Sequence, residues 1–405
     1  MTEFSHELFD LVPCWMASPE TVSAIFPILN KNKFDLVIFD EASQCFAEKG
    51  FPAMLRGKQI VITGDKKQLQ PNDLYRIKIE EDAEESPLLE IESLLELGSN
   101  FLPETILRGH YRSKSLDLID FSNNHFYDHK LKLLPDFSNI NEGVPAIDFI
   151  KVDGVWDRNQ NMIEAQKVLE LAKDMDARKS IGVVTFNAQQ ADLIQDLTQE
   201  IENISVKNIE NIQGDEFDVV FFSMAYAPDK NGKFRMNFGS LNQKGGENRL
   251  NVAITRAREK IIIVCSLLPQ DLKVDKSINE GPKLLKDYLS YAQNVSNGNF
   301  QPSLPVINEQ NWGKFLKNEI TKSGSNFETS LPFTDLVRME NNTFKNLILT
   351  DDQIFYSAES IKESFAYLPL MLQTKGWNYI KSWSRNWWKK PIAELSLLEE
   401  KVAKE

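Results

Sequence analysis

The chain contains two short apolar runs that each end in acidic and amide residues. They read VIFDEASQ at residues 37–44 and IVITGDKKQL at residues 60–69. A buried parallel strand delivers polar groups to a ligand at its carboxyl end in this way. The pair Asp40 and Glu41 suits nucleoside triphosphate chemistry, because an aspartate can hold Mg²⁺ through its water shell and a glutamate can orient or deprotonate a water. These runs predict an α/β fold with part of an ATP site.

The phosphate-binding motif that would complete such a site, G-x-x-x-x-G-K-[ST], does not occur anywhere in the 405 residues. Each of the three Gly-Lys pairs is followed by Gln or Phe, at Gln59, Phe234 and Phe315. The sequence therefore carries half of an ATP site.

Length and composition indicate a soluble protein of two to three domains, with 42% hydrophobic and 26% charged residues. A net charge of −13 argues against broad electrostatic adhesion to nucleic acid or membranes, although it leaves room for a local patch. The three cysteines form no disulfide framework or metal pattern, and no apolar run reaches the ~20 residues of a membrane span. The first residues lack a signal peptide. We expect a cytoplasmic protein without a membrane partner.

Strand-like and helix-like segments alternate through residues 1–290, which predicts parallel sheets. The acidic segment 79–96 predicts a solvated loop leading into a surface helix, and residues 293–311 predict an inter-domain linker. The predicted buried strands are residues 33–39, 59–63, 181–186, 218–224 and 260–265, and the predicted amphipathic helices are residues 163–175 and 188–197.

Three arginines lie close together in the sequence, at Arg249, Arg256 and Arg258. If the segment is helical, the first two share a face and the third points elsewhere, so Arg249 and Arg256 would address one site. The planar guanidinium matches phosphate oxygens. Upstream, Gly214 permits a tight turn and a close backbone approach to a ligand.

The order of these motifs resembles superfamily 1 helicases of the nonsense-mediated-decay and replication-helicase type. The resemblance covers roughly residues 10–290 and implies two RecA-like P-loop NTPase lobes, the first incomplete (residues 1–100) and the second complete (residues 101–292). The matching motifs are II at residues 40–44, III at 64–71, IV at 111–113, V at 213–216 and VI at 249–258.

The resemblance implies ATP and Mg²⁺ as cofactors and assigns a role to each motif residue. Asp40 would organise Mg²⁺, Glu41 would position the hydrolytic water, and Gln68 would sense the γ-phosphate. Arg112 and Arg256 would act as arginine fingers, each such finger contributing on the order of 10³–10⁵ in turnover. Further nucleotide-binding positions would be Gly64, Asp65, Gln213, Gly214, Glu216 and Arg249.

The resemblance also implies a mechanism and a partner. ATP would bridge the two lobes, and alternating closure would move a single strand of nucleic acid, DNA favoured over RNA, largely without sequence preference. Two departures stand out: Gln70 replaces a proline usual in motif III, and the phosphate loop is missing. We expect a fragment, from a split reading frame or a two-chain enzyme, that is inactive without an upstream chain carrying that loop.

Residues 312–405 resemble the very-short-patch-repair-like endonuclease domain, a small α/β restriction-endonuclease-like fold. In that pattern an Asp and a Glu about fifteen residues later hold the catalytic metal. Asp335 fits the first position, but Thr350 occupies the second, and a hydroxyl is a poor substitute for a carboxylate. Asp351 or Asp352 could take its place by a register shift. We predict a degenerate nuclease site at Asp335 and Asp352 in a domain kept for binding or packing.

Four of the seven tryptophans fall within residues 376–390, among several lysines and arginines. They form either a base-stacking and phosphate-contacting patch or a domain core. The core is the favoured interpretation for Trp377 and Trp383, while Trp387 and Trp388 stay open. For the whole chain three functions remain: an ATP-dependent helicase portion, a nucleic-acid-binding remnant without catalysis, and a metal-dependent nuclease.

Overall fold

The computed structural model describes residues 11–26, 34–71, 91–234, 236–303, 315–322, 327–328, 331–358 and 360–404. The chain divides into two compact units, Met1–Ile106 and Leu107–Glu405. The predicted lobe boundary after residue 100 falls inside a helix, Leu94–Phe101, so the division lies further along the chain. Within the described ranges, no helix is both long and apolar enough to cross a bilayer.

The first unit contains two parallel strands, β1 and β2, with Phe39 paired to Ile62 at their carboxyl ends. One face of the pair packs against helices and carries the core residues Val37 and Phe39. Helices and a 3-10 turn accompany the strands in the described part of this unit. Their bounds are α1 (Pro19–Ile25), β1 (Phe34–Phe39), the 3-10 turn Ala42–Gln44, α2 (Ala47–Met54), β2 (Gly57–Ile62) and α3 (Leu94–Phe101).

The other face of β1 and β2 is open, and the prediction that both strands are fully buried is wrong. Leu36, Ile38 and Val61 are 44%, 60% and 43% exposed. They alternate along the strands with the core residues, and the helical residues of the unit's core, Ala53 and Leu94, pack with the opposite face. The acidic loop predicted before α3 lies largely outside the described residues, while the helix it leads into is present.

The second unit is built on a five-stranded, all-parallel sheet in the order β5-β9-β8-β6-β7. This confirms the predicted mixed α/β class with a parallel sheet. The three strands predicted here are present and largely buried, because β-branched residues fill both of their faces. The strands are β5 (Ile147–Lys151), β6 (Ile181–Thr185), β7 (Ile204–Asn208), β8 (Phe217–Ser223) and β9 (Ala257–Cys265), with a separate parallel pair β3 (Gly109–His110) and β4 (Lys132–Leu133).

Helices cover this sheet and complete its core. Ala165 and Val168 of one helix pack with Ile194 of another against Val183 and Phe221 of the strands. Both predicted helices are present, one of them with the predicted bounds. The helices are α4 (Asp120–Phe126), α5 (Phe137–Glu142), α6 (Met162–Lys173), α7 (Ala188–Leu197), α8 (Gly246–Ile254) and α9 (Gly281–Ser296), with 3-10 turns Leu116–Leu118, Gly239–Asn242 and Pro269–Asp271.

The C-terminal part of the second unit has its own sheet in the order β10-β11-β12-β13, antiparallel except for the parallel pair β12-β13. The predicted linker starts too early, since residues 293–296 form the last turn of α9; residues 304–311 lie outside the described ranges. The elements are α10 (Phe315–Lys322), β10 (Phe327–Glu328), β11 (Leu336–Glu340), β12 (Thr343–Leu349), α11 (Gln353–Tyr356), the π-helix Glu363–Tyr367, α12 (Leu368–Thr374), β13 (Asn378–Lys381), α13 (Ser384–Lys389) and α14 (Pro391–Lys404).

Candidate functional site

In the first unit, the carboxyl ends of β1 and β2 bring Asp40 and Thr63 together. The Thr63 hydroxyl donates to Asp40 Oδ1 at 2.7 Å, and the Glu41 backbone N–H donates to the same oxygen at 3.1 Å. Glu41 has a left-handed backbone with φ of 50°, which is uncommon for a residue with a side chain and turns the chain sharply after the strand. Both carboxylates are exposed. An oxygen set of this kind fits a hard cation held through water.

The turn after β2 places Gly64, Asp65 and Gln68. Asp65 accepts hydrogen bonds from the Lys67 N–H at 2.8 Å and from Gln68 Nε2 at 3.1 Å, so it fixes the orientation of the glutamine. A Cβ at Gly64 would lie 3.0 Å from the Ser43 backbone nitrogen, within the motif II segment. Glycine at this position thus allows the two motifs to approach closely.

In the second unit, Glu216 binds two of the predicted arginines. Its Oε2 accepts from Arg112 Nε at 3.0 Å, and its Oε1 pairs with Arg258. Hydrogen bonds from Arg258 and Arg112 lower the pKa of Glu216, so its carboxylate stays charged. Arg258 also lies 3.5 Å from Asp218. The fold therefore joins motifs IV, V and VI through a single carboxylate.

Arg256 lies beside this cluster but is almost completely buried, at 3% exposure. Its guanidinium donates to the Val252 carbonyl at 2.8 Å, to the Asp215 carbonyl at 3.3 Å and to the Thr255 hydroxyl at 3.0 Å. Arg112 donates to the carbonyl of the same Thr255 at 3.1 Å. The two predicted fingers thus share Thr255 as a neighbour.

The prediction that Arg249 and Arg256 share one face of a helix is wrong. Helix α8 ends at Ile254, so Arg256 lies beyond it and Arg258 lies in β9. Arg249, still on the helix, forms a separate ion pair with Glu210 at 2.7 Å. It is Arg258 that shares a partner with Arg112.

The loop before β8 carries Gln213 and Gly214. Gly214 has φ of +88° and no atom within 4 Å of the position its Cβ would occupy. The glycine is therefore needed for its backbone conformation. Gln213, Gly214 and Glu216 therefore directly precede the amino end of β8, where β8 pairs with the start of β9.

A buried polar network that the motif search missed lies at the opposite, carboxyl ends of these strands. Glu164 accepts hydrogen bonds from the Ala225 N–H at 2.7 Å and from the hydroxyls of Ser223 and Ser266 at 3.1 and 2.8 Å. Asn161 Nδ2 donates to the same carboxylate at 3.1 Å. Burial raises the pKa of Glu164 to about 7. The pattern N-x-x-E, formed by Asn161 and Glu164 at the start of a predicted amphipathic helix, is the sequence signal that could have revealed this network.

In the C-terminal part, Asp335 lies against Thr350. The Thr350 hydroxyl donates to Asp335 Oδ2 at 2.8 Å, and the Ile354 N–H lies 3.3 Å from Oδ1. Burial raises the pKa of Asp335. Asp352 instead accepts from the N–H groups of Leu316 and Lys317 at 3.2 and 2.7 Å, at the start of α10. Asp352 therefore holds a helix, and across the described ranges no group of three acidic, His or Cys residues is arranged to hold a metal.

The four clustered tryptophans have different environments. Trp377 and Trp387 are buried, at 2% and 3% exposure, whereas Trp388 is 69% exposed. Trp383 is half-buried and stacks on Phe365, with ring centroids 5.7 Å apart. The core interpretation holds for Trp377 and in part for Trp383.

Comparison with protein families finds two matches, both described as AAA domains: one covers residues 91–267 and the other residues 21–72. Two segments of the chain are thus similar to AAA domains. Each segment carries residues whose geometry is given above. Residues 21–72 include Asp40, Glu41 and Gln68, and residues 91–267 include Arg112, Glu216 and Arg256.

Relatives of the AAA segments are named as ATP-dependent helicases. An uncharacterised ATP-dependent helicase of Mycoplasma genitalium is 31% identical over 97% of this chain and 39% of its own length, and its Mycoplasma pneumoniae homologue is 30% identical over 94% and 38%. One from Methanocaldococcus jannaschii is 29% identical over 64% and 40%. The chain thus spans about two fifths of these relatives. The chain is thus similar to proteins that are named as ATP-dependent helicases.

Proposed function

We propose that this chain forms the part of an ATP-dependent helicase that senses and hydrolyses ATP, and that it couples hydrolysis to movement along a single strand. The observation that carries the proposal is the shared carboxylate of Glu216, which joins Arg112 and Arg258 beside Arg256. Residues from three separate motifs meet there, in a chain whose relatives are named as ATP-dependent helicases.

The residues fit MgATP. Asp40, which accepts a hydrogen bond from Thr63, offers an exposed carboxylate for the hydrated cation. The neighbouring Glu41 can orient a water molecule or accept a proton from it. Bound Mg²⁺ would supply charge neutralisation at the phosphates. In the second unit, Arg112 would supply a fixed positive charge of the kind that stabilises a transferred phosphoryl group. Arg256, which is almost completely buried, would support the same cluster through the Thr255 hydroxyl. Gln68, whose amide donates to Asp65, would sense the γ-phosphate in this proposal.

We further propose that the phosphate loop comes from polypeptide outside these 405 residues. The sequence contains no such motif, and the AAA relatives are more than twice as long. The open apolar face of Leu36, Ile38 and Val61 is suited to packing against that polypeptide, because burying it removes apolar surface from water.

ATP turnover with single-stranded DNA tests this function, for the chain alone and after adding the polypeptide encoded upstream. We expect turnover only in the mixture, and its loss in Glu41→Gln and Arg256→Ala. Glu200→Gln, at an exposed position of the second unit, serves as the control and should retain full turnover. No turnover in the mixture, with nucleic acid still bound, would show that the helicase chemistry has been lost.

A second candidate function, nucleic-acid binding by the C-terminal part, is favoured by a surface that we call the aromatic surface: Phe355, Tyr356, Phe365, Trp383 and Lys381. Phe365 and Trp383 stack at 13° between ring planes, Lys381 lies 4.8 Å from the Phe365 centroid, and Phe355 meets both rings edge-on. Tyr356 is 71% exposed and Phe365 48%. Residues 361–390 hold six basic residues and one acidic residue, in a chain of net charge −13. Exposed rings among basic residues suit a single strand.

Fluorescence anisotropy with labelled single-stranded DNA and RNA of matched sequence tests this surface. We expect Phe365→Ala to weaken DNA binding by about tenfold, as for the loss of one base-stacking contact. Phe101→Ala, an exposed phenylalanine of the first unit, should leave binding unchanged. Equal affinity in both variants would remove the surface from the binding site.

We propose that the C-terminal part has an endonuclease-like fold without nuclease activity. The Thr350 hydroxyl donates a hydrogen bond to Asp335 at the position where a nuclease would need a second carboxylate. Asp352 instead accepts a hydrogen bond from the Lys317 N–H at the start of α10. Incubation with DNA and Mg²⁺ should give no cleavage. Mg²⁺-dependent cleavage that disappears in Asp335→Ala would instead establish the nuclease.

A further inference from the structure

A short stretch of the C-terminal part, Lys375–Trp377, makes non-covalent contacts with the region of the chain around Arg112. The Trp377 indole N–H donates to the Pro135 carbonyl at 2.8 Å, and the ring packs edge-on against Phe137 at 5.1 Å between centroids. The Phe137 N–H donates to the Lys375 carbonyl at 2.9 Å. These contacts fix the start of helix α5 against the end of helix α12.

Lys375 extends this junction to motif IV. Its ammonium group lies 2.7 Å from Asp136 and donates to the Tyr111 carbonyl at 3.3 Å. The side chain is only 13% exposed. The Tyr111 carbonyl belongs to the same peptide unit as the Arg112 nitrogen, so Lys375 holds the backbone from which the arginine projects. Asp136 in turn donates its N–H to the Lys114 carbonyl at 2.9 Å, on the other side of Arg112.

The opposite side of the Arg112 segment is closed by His110. The Ser113 N–H donates to His110 Nε2 at 3.1 Å, and the Ser113 hydroxyl lies 2.8 Å from the same nitrogen. The segment is therefore a short turn, closed internally by His110 and braced externally by Lys375. A turn fixed on both sides can aim a side chain with little conformational freedom.

We infer that Lys375 is a positioning residue for Arg112, through which the C-terminal part controls the arginine that acts on ATP. The inference rests on the proposed function for the role of Arg112, but the physical link between Lys375 and the turn does not. Removing the ammonium group leaves the Tyr111 carbonyl and Asp136 without this donor, and the turn gains freedom. The C-terminal part is then a brace for the ATP-sensing arginine in addition to any binding function.

Hydrogen–deuterium exchange on the full chain tests the link without any need for catalysis. In Lys375→Met, we expect exchange of the amides of residues 109–114 to rise by about tenfold or more, the range for losing a hydrogen bond to a charged donor. Exchange in β6 should not change. The matched control is Lys345→Met, an exposed lysine on β12 of the same domain. Lys375→Arg retains the charge and should restore much of the protection.

Steady-state ATP turnover in the mixture with the upstream polypeptide then separates the two proposals. We expect Lys375→Met to lower kcat more than it changes KM for ATP, because Arg112 acts on the γ-phosphate. If Lys375→Met changes the exchange of residues 109–114 but the mixture with the unmodified chain shows no ATP turnover, the brace is supported and the helicase function is rejected. Unchanged exchange at residues 109–114 in Lys375→Met overturns the brace, whatever the turnover. The brace is also overturned if the amides of residues 109–114 exchange as fast in Lys375→Arg as in Lys375→Met.

Discussion

The side chains of Arg112 and Glu216, 104 positions apart in the sequence, form an ion pair with Nε 3.0 Å from Oε2. The same carboxylate binds Arg258, so one acid orients two guanidinium groups. Because guanidinium groups repel one another at close range, the shared carboxylate is what makes this arrangement stable. Glu216 is thus an organising residue of the cluster, in addition to its predicted place near the nucleotide.

Replacing Glu216 by Gln should lower the free energy of unfolding by about 1 kcal/mol, since both ion pairs are partly exposed and screened by solvent. The pKa of Glu216 is lowered in the fold, so its contribution is present above the unfolded pKa and is lost as the pH falls below about 4.5. Urea unfolding at pH 7 and pH 4 measures both effects. The difference between protein and variant should shrink at pH 4; a constant difference would show that the charge is not responsible.

Glu164 should make stability fall as pH rises. Its folded pKa of about 7 lies above the ordinary value of 4.5, so the contribution of its protonated form is complete below pH 4.5 and declines as pH rises toward 7. Glu164→Gln keeps most hydrogen-bonding geometry and should flatten this dependence. Glu164→Ala should cost about 3 kcal/mol, because several buried donors lose their acceptor. Urea unfolding from pH 5 to 8 provides the measurement, and an equal slope in Glu164→Gln would contradict the assignment.

His110 should remain neutral well into the acid range. Burial, with the charges of Arg112, Lys375 and Arg256 nearby, lowers the pKa of His110 to about 3. A lowered histidine pKa means that stability is present above pH 6.5 and declines as pH falls toward 3. The chain has four histidines, so the imidazole signals can be followed individually by NMR. A His110 signal that titrates near pH 6.5 would show that the turn is open to water.

Trp377 should stabilise the junction between the C-terminal part and the rest of the second unit. Trp377→Phe removes the hydrogen bond to the Pro135 carbonyl and should cost about 1 kcal/mol. Trp377→Ala also removes a fully buried ring and should cost roughly 3–5 kcal/mol. Trp388→Phe, at an exposed ring of the same domain, is the control. Thermal unfolding measures these effects. If the Tm of Trp377→Ala is no lower than that of Trp388→Phe, Trp377 does not stabilise this junction.

Sequence patterns predicted the buried strands of the second unit well but misjudged β1 and β2. All five runs are rich in β-branched and aromatic residues, which says that a strand is favoured and not which faces are covered. For β8, helices pack against both faces, and all but one of its residues are buried. For β1, alternate residues such as Ile38 stay open to solvent. Coverage depends on elements distant in sequence, so composition alone could not decide it.

The grouping of the arginines failed for a related reason. A helical period was applied from Arg249 to Arg258, yet α8 ends at Ile254 and the chain enters β9 within three residues. Element boundaries are set by tertiary context as much as by local propensity. As a result, Arg249 pairs with Glu210 and Arg258 pairs with Glu216, whereas Arg256 donates to backbone carbonyls and to Thr255.

The sequence by itself predicted the class of chemistry that we propose, because that prediction rests only on the order and types of the residues at Asp40, Glu41, Gln68, Arg112 and Arg256. It also showed Thr350 at the position where the resemblance to the endonuclease domain predicts a second carboxylate. Only the tertiary structure decided which charges meet. Glu216 binding Arg112 and Arg258, and Lys375 bracing the Tyr111 carbonyl, join residues separated by tens to hundreds of positions. Such pairs follow from how strands, helices and turns pack in three dimensions, which local residue patterns do not encode.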